Sequence, residues 1–295
     1  MNDVLVSSLE EGEEARFFEF SKTLPDLDFW GRKGRYLRAD LAKFNEFLDY
    51  FKSFQSKCFL IAEEGSKIAG FLVAVYNPEW VKELTERYGY PIERRAHILG
   101  IALSQRRADV LKALTTATAE LLSRSDIRSI EYPTLGNVCL TTGTDVLTTD
   151  NLDSIITFRE VGFKIDECYY SMRLGLDRYE HQNESATSKG VFCSRDRGIE
   201  IREGRELVGK IMWDPIEDGE TEIGIQIEPA HRRKGFGTAL MARALLQLKI
   251  EGAKVVNLGV DGNNLPALRL YRKFGFEVIK THFYILLSFD ALVTG

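Results

Sequence analysis

Alternating apolar and polar residues, broken by runs with helical spacing, divide the chain into two similar series. In the first, spacing predicts amphipathic helices over residues 10–23 and 37–53, then hairpin strands near 59–62 and 68–76. A strand over 96–103, a helix over 109–123, a strand over 127–132 and a helix over 152–161 follow, and residues 168–174 read as the strand that closes this half. The polar stretch 177–189 predicts a linker. After it the order hairpin, strand, helix, strand, helix, strand recurs without the opening helix pair. The strand there runs from Glu222 to Glu228 and stops at Pro229, and the helix after it lines up Leu240, Ala244 and Leu248 on one face.

Three short segments support an internal repeat. Glu64-Gly65 and Glu203-Gly204 both read as hairpin turns entering an apolar strand, Leu99-Gly100 matches Ile223-Gly224, and Phe158 to Phe163 matches Tyr271 to Phe276. The offsets between copies, 139, 124 and 113 residues, shrink along the chain, so the first copy carries insertions, one around 77–95 and one including the Thr/Asp-rich stretch 141–150. Each half is then a mixed α/β unit. The expected division is 1–178, a linker over 179–189, and 190–295.

Length and composition narrow the function classes. With 295 residues, two domains are expected, and 44% hydrophobic with 28% charged residues is ordinary for a globular protein. A net charge of −5 argues against general nucleic-acid binding. The acidic N-terminus lacks signal-peptide features and no apolar run spans a bilayer, so no membrane role and a cytoplasmic location are expected. Cys58, Cys139, Cys168 and Cys193 have no metal-site spacing and predict reduced thiols and no metal, with Cys58 and Cys168 as small apolar fillers.

The most informative stretch is Arg232-Arg233-Lys234-Gly235-Phe236-Gly237, at a strand-to-helix junction. Glycines let backbone N–H groups approach an anion there, and the helix dipole with three basic side chains favours negative charge. Arg232, Gly235 and Gly237 also match the Arg/Gln-x-x-Gly-x-Gly/Ala signature of the GCN5-related N-acetyltransferases, or GNAT family. Asn264, Ala267, Leu270, Tyr271, Gly275 and Phe276 match a second element of that family. The chain therefore resembles tandem GNAT proteins of the mycothiol synthase type over nearly its whole length. The fold class this implies is α/β (α+β), with two GNAT-like domains, each a mixed, mostly antiparallel sheet flanked by helices.

The resemblance implies acetyl-CoA as co-substrate and assigns roles. Backbone N–H groups of Lys234, Gly235, Phe236, Gly237 and Thr238 would cradle the pyrophosphate, with Arg232 and Arg233 adding charge or standing as solvated turn residues. Ile225 and Ile227 would present backbone groups to the pantetheine arm. Asn264 would bond the same arm or cap the helix beside Pro266. Tyr271 corresponds to the general acid, and Glu222 is the leading base, with Glu220, Glu228 or a water competing. Cys193 has no histidine at a suggestive spacing, and His231 and His282 read as strand-end or surface residues.

In the first copy the loop position holds Gln105-Arg106-Arg107-Ala108-Asp109-Val110 with no glycine, and Phe158 stands for Tyr271. That copy is expected to be degenerate. The function expected is an acyl-CoA-dependent N-acetyltransferase acting by direct attack, on a small-molecule amine. Protein or peptide acetylation, and a non-catalytic acetyl-CoA sensor, are the alternatives.

Overall fold

The computed structural model describes residues 4–10, 12–22, 48–49, 51–79, 81–82, 85, 94–103, 107–132, 147, 149, 152–177, 179, 191–216 and 218–293. Most of the expected 37–53 helix and of the 177–189 linker, most of both proposed insertions, and Gln105, Arg106 and Cys139 lie outside the described residues. In chain order the elements are β1 (Val4–Ser8), α1 (Glu14–Lys22), β2 (Ser56–Glu64), β3 (Lys67–Tyr76), β4 (Arg95–Leu103), α2 (Ala108–Ser123), β5 (Ser129–Tyr132), α3 (Leu152–Glu160) and β6 (Lys164–Gly175). Then come β7 (Val191–Arg195), β8 (Gly198–Glu203), β9 (Glu206–Pro215), β10 (Glu220–Ile227), a 3-10 turn (Pro229–His231), α4 (Phe236–Ile250), β11 (Val255–Asp261), α5 (Leu265–Lys273), β12 (Glu277–Ser288) and α6 (Asp290–Val293).

Two compact units form, one from residues 1–167 with 282–295 and the other from 168–281. In the first the strands lie in the order β1-β2-β3-β4-β5, with Ile285–Ser288 of β12 antiparallel to β5. β3 is buried on both sides because alternate residues enter two cores. Leu60, Leu72 and Ile98 pack with Leu111 and Leu114 of α2, whereas Phe59, Phe71 and Val73 pack with Phe17 of α1. Phe17 meets Phe59 and Phe71 edge-on at 4.9 and 4.8 Å. Each such fully buried side chain stabilises the unit by about 1.5–3 kcal/mol.

In the second unit the order is β6-β11-β10-β9-β8-β7. One sheet face is covered by apolar residues of α4, among them Leu240, Met241, Ala244 and Leu245. The other face of β10 is exposed at Glu222, Gly224 and Gln226, so its alternation is that of a half-covered strand.

The repeat is written into backbone detail. Gly65 and Gly204 open equivalent two-residue turns at φ +62° and +63°. The β2–β3 register shifts at Ala62/Glu63 and the β8–β9 register at Ile201/Arg202, positions that keep the 139-residue offset. Helix α3 closes with the Phe163 N–H on the Phe158 carbonyl at 3.2 Å, and α5 with the Phe276 N–H on the Tyr271 carbonyl at 3.1 Å. Both are six-to-one closures around a left-handed glycine, Gly162 and Gly275.

One expectation is corrected. The strand at 168–174 does not close the first half: Tyr169 to Gly175 pair with Asp261 to Val255 of β11, and Ile285–Ser288, from the end of the chain, closes the first sheet against β5. The alternation of apolar residues fixes that a segment is a strand but not which edge it joins. β1 was not foreseen; Val4 and Val6 give it two inward residues beside β2.

Candidate active site

Only three residue pairs join β10 to β11 in parallel, Glu220↔Val255, Thr221↔Val256 and Glu222↔Asn257. Beyond them β10 continues to Ile227 on β9, and β11 continues to Asp261 on β6. The two strands part, leaving facing edges unpaired. The Glu228 N–H donates to Val208 at 3.0 Å and the Ile216 N–H to Glu220 at 2.7 Å, so even-numbered residues of β10 direct their backbone groups toward β9. By strand alternation Ile223, Ile225 and Ile227 direct theirs toward the opening.

The loop sits at the end of that edge. Gly235 caps α4 at φ +86°, and Arg233 takes φ +60°. The glycines serve different needs. Gly235 supplies a left-handed conformation that side chains resist, whereas a Cβ on Gly237 would press within 3.3 Å of Leu270. The first-turn N–H groups of Phe236, Gly237 and Thr238 are those a helix leaves without internal partners. Phe236 is buried, while Arg233 and Lys234 are exposed beside them. The Arg232 Nε–H donates to the Ile227 carbonyl at 3.1 Å and so ties the loop to the strand edge. Among the described residues, no group of three or more metal-ligating side chains gathers.

His231 is corrected from a surface to a buried residue. It is 7% exposed, its Nε2 lies 3.2 Å from Glu206, and its ring meets Phe236 at 6.0 Å, so it packs beneath the loop. His282 is likewise buried, within β12. Cys58 is buried, and burial pushes its thiol up to about 11. Cys168 and Cys193 are half-buried.

Asn264 caps α5, its side-chain oxygen accepting from the Ala267 N–H at 3.2 Å. Tyr271 lies on that helix, 6% exposed, and burial first, then the charge of Tyr169, pushes its phenol up to about 12. Of the competing carboxylates, Glu220 accepts from Arg173 and, at 2.9 Å, from the Asn257 amide. Glu228 takes the Gln226 amide at 3.3 Å. Glu222 is exposed opposite Asn257 and engages neither.

The first unit carries the same parallel junction, filled differently. Its last pair is His97↔Glu131, with the His97 Nδ1 2.8 Å from Glu131 and Arg95 donating to Glu131 at 2.7 Å. Burial acts to raise the Glu131 pKa, and the bonds and charges of His97 and Arg95 outweigh it, holding the carboxyl below its ordinary range. Where an anion would meet α2, Arg107 is already bound by Asp109 and, at 2.5 Å, by Glu64. Phe158 stacks on Tyr132 at 5.5 Å as a core residue.

Residues 152–276 match the model of the acetyltransferase (GNAT) family. A mycothiol acetyltransferase from Clavibacter michiganensis is 37% identical over 66 residues, 22% of this chain and 22% of that protein, so the match spans about a fifth of the relative's length. A tandem GNAT protein from the clavulanic acid biosynthesis pathway shares the fold at TM-score 0.53 and 12% identity, covering 97% of this chain and 99% of its own. A GCN5-related glucosamine N-acetyltransferase region of a fungal multi-domain β-N-acetylglucosaminidase does so at TM-score 0.59 and 12% identity, over 97% of this chain and 38% of the other. Residues 152–276 are thus similar to the acetyltransferase (GNAT) family, and the chain shares the fold of a tandem GNAT protein.

Proposed function

We propose that the chain moves an acetyl group from acetyl-CoA to the primary amine of a small molecule, by direct attack, at the opening between β10 and β11. The observation that carries this is the parting of the two strands beside a glycine-opened helix N-terminus, with Tyr271 buried on the helix that follows β11. An anion joined to an extended, amide-bearing arm fits these groups. First-turn N–H groups of α4 suit the pyrophosphate, with Arg232, Arg233 and Lys234 supplying charge, and the outward backbone of Ile225 and Ile227 suits the arm. Asn264, which caps the helix following β11, is assigned to the same arm.

Acetyl-CoA supplies an activated thioester. Glu222 accepts the proton that the attacking nitrogen sheds, and its freedom from the bonds that occupy Glu220 and Glu228 favours it as base. Outward N–H groups of β10 stabilise negative charge developing on the carbonyl oxygen. As the C–N bond forms and the C–S bond breaks, the Tyr271 phenol gives its proton to the departing sulfur. Its raised pKa keeps that proton in place at neutral pH. The relative's name, mycothiol acetyltransferase, supports a small-molecule acceptor. The first unit, with its loop position occupied by its own ion pairs, is read as a non-binding copy. A cytoplasmic location is part of the reading.

The test is release of free thiol from acetyl-CoA over a panel of ethanolamine, glucosamine, kanamycin, free amino acids and lysine-containing peptides. Turnover with a small amine is expected, and Tyr271→Phe should lower kcat by roughly 10²–10³ with acetyl-CoA binding retained. Binding without turnover across the panel would leave a sensor and sink the catalytic reading.

A further inference from the structure

The exposed face of the second sheet holds a feature that the family signature does not reach. Strand registers put Glu222, Asn257 and Arg173 side by side on that face, and Gly259 and Ser171 next along it. Gly224, two residues beyond Glu222 on β10, faces open space: a Cβ there would meet nothing within 4 Å. Gly259, two residues beyond Asn257 on β11, is covered. A Cβ there would lie 1.5 Å from the Tyr169 hydroxyl and 2.2 Å from its ring carbon Cζ. Tyr169 stands opposite Asp261, so its ring must lean diagonally along β11 toward Glu222, and only a glycine at 259 leaves it room.

An amine that gives its proton to Glu222 must approach from this face, over Gly224. At roughly 3.3 Å per residue, Gly259 lies about 7 Å past Asn257 toward the widening end of the opening. We propose that Tyr169 is a specificity-determining residue of the acceptor site, its ring forming the β11-side wall and its seat fixed by Gly259. The proposal rests on the acetyltransfer reading above and adds the position of the acceptor.

The experiment uses the full chain, with each amine of the panel that the wild type acetylates serving as probe. Tyr169→Ala should raise the KM of the amine about tenfold and leave the KM of acetyl-CoA within twofold, as expected for loss of about 1.4 kcal/mol of acceptor contact. Tyr169→Phe, which keeps the ring, should stay within threefold of wild type. Gly259→Ala should raise the amine KM like Tyr169→Ala, yet add nothing in the Tyr169→Ala background, because its methyl acts only by displacing the ring. An unchanged amine KM in Tyr169→Ala overturns the proposal, as does an equal rise in both KM values or a Gly259→Ala effect that persists without Tyr169. A wild type that acetylates no amine sinks the parent reading and this one together, whereas an active wild type with an indifferent Tyr169 sinks this one alone.

Discussion

Gly235 and Tyr271 carry the sharpest consequences for single residues. Gly235 holds φ +86° at the cap of α4, a conformation costing an L side chain about 1–2 kcal/mol. Gly235→Ala should therefore lower the urea midpoint by that equivalent and raise the acetyl-CoA KM; a variant with unchanged stability would show that the turn relaxes freely. Tyr271 has its folded pKa near 12, above the value of about 10 for an unfolded phenol. The raised pKa contributes stability that is whole below pH 10 and is lost as pH climbs through 12. Wild type should lose stability over that window more steeply than Tyr271→Phe, measured by urea unfolding at each pH; parallel curves would contradict the burial argument. Both residues were visible in sequence because motifs with fixed spacing contain them. Tyr169 was not, since its position depends on a residue 90 positions away in the chain, Gly259 on β11.

At the scale of elements, periodicity gave strands and helices where they occur but not their partners. Residues 59–62, 68–76 and 96–103 sit within β2, β3 and β4, and the two glycine turns and helix closures repeat as the matched segments implied. Edge choice escaped the reading, because a strand with apolar alternation pairs equally well on paper with either neighbour. Hence residues 168–174 read as the closing strand of the first half, whereas Tyr169–Gly175 pair with β11 and Ile285–Ser288 joins β5. The choice among Glu220, Glu222 and Glu228 was also closed to sequence, for all three share a strand face; the structure adds that Glu220 bonds Arg173 and Asn257 and that Glu228 bonds Gln226, which is the ground for proposing Glu222. The exchange makes a prediction. Ile285 is fully buried in the core of the first unit, so Ile285→Ala should destabilise that unit by about 2–5 kcal/mol in chemical unfolding. A negligible effect would mean the β5–β12 pairing contributes little.

For the whole molecule, the repeat raises the question of how many ligands one chain takes. The two units share turns, bulges, a three-pair parallel junction and helix closures, so their scaffolds are equivalent. Their junctions are not. One has Glu222 exposed on a strand that leads to a glycine loop, and the other has His97 and Glu131 buried with Arg107 already paired. On this account the chain binds acetyl-CoA once, in the second unit. Isothermal titration of the full chain with acetyl-CoA tests that most directly: one site per chain is expected, with binding weakened by Gly235→Ala and unaffected by Asp109→Ala. Two sites, or one site that survives Gly235→Ala and responds to Asp109→Ala, would contradict it.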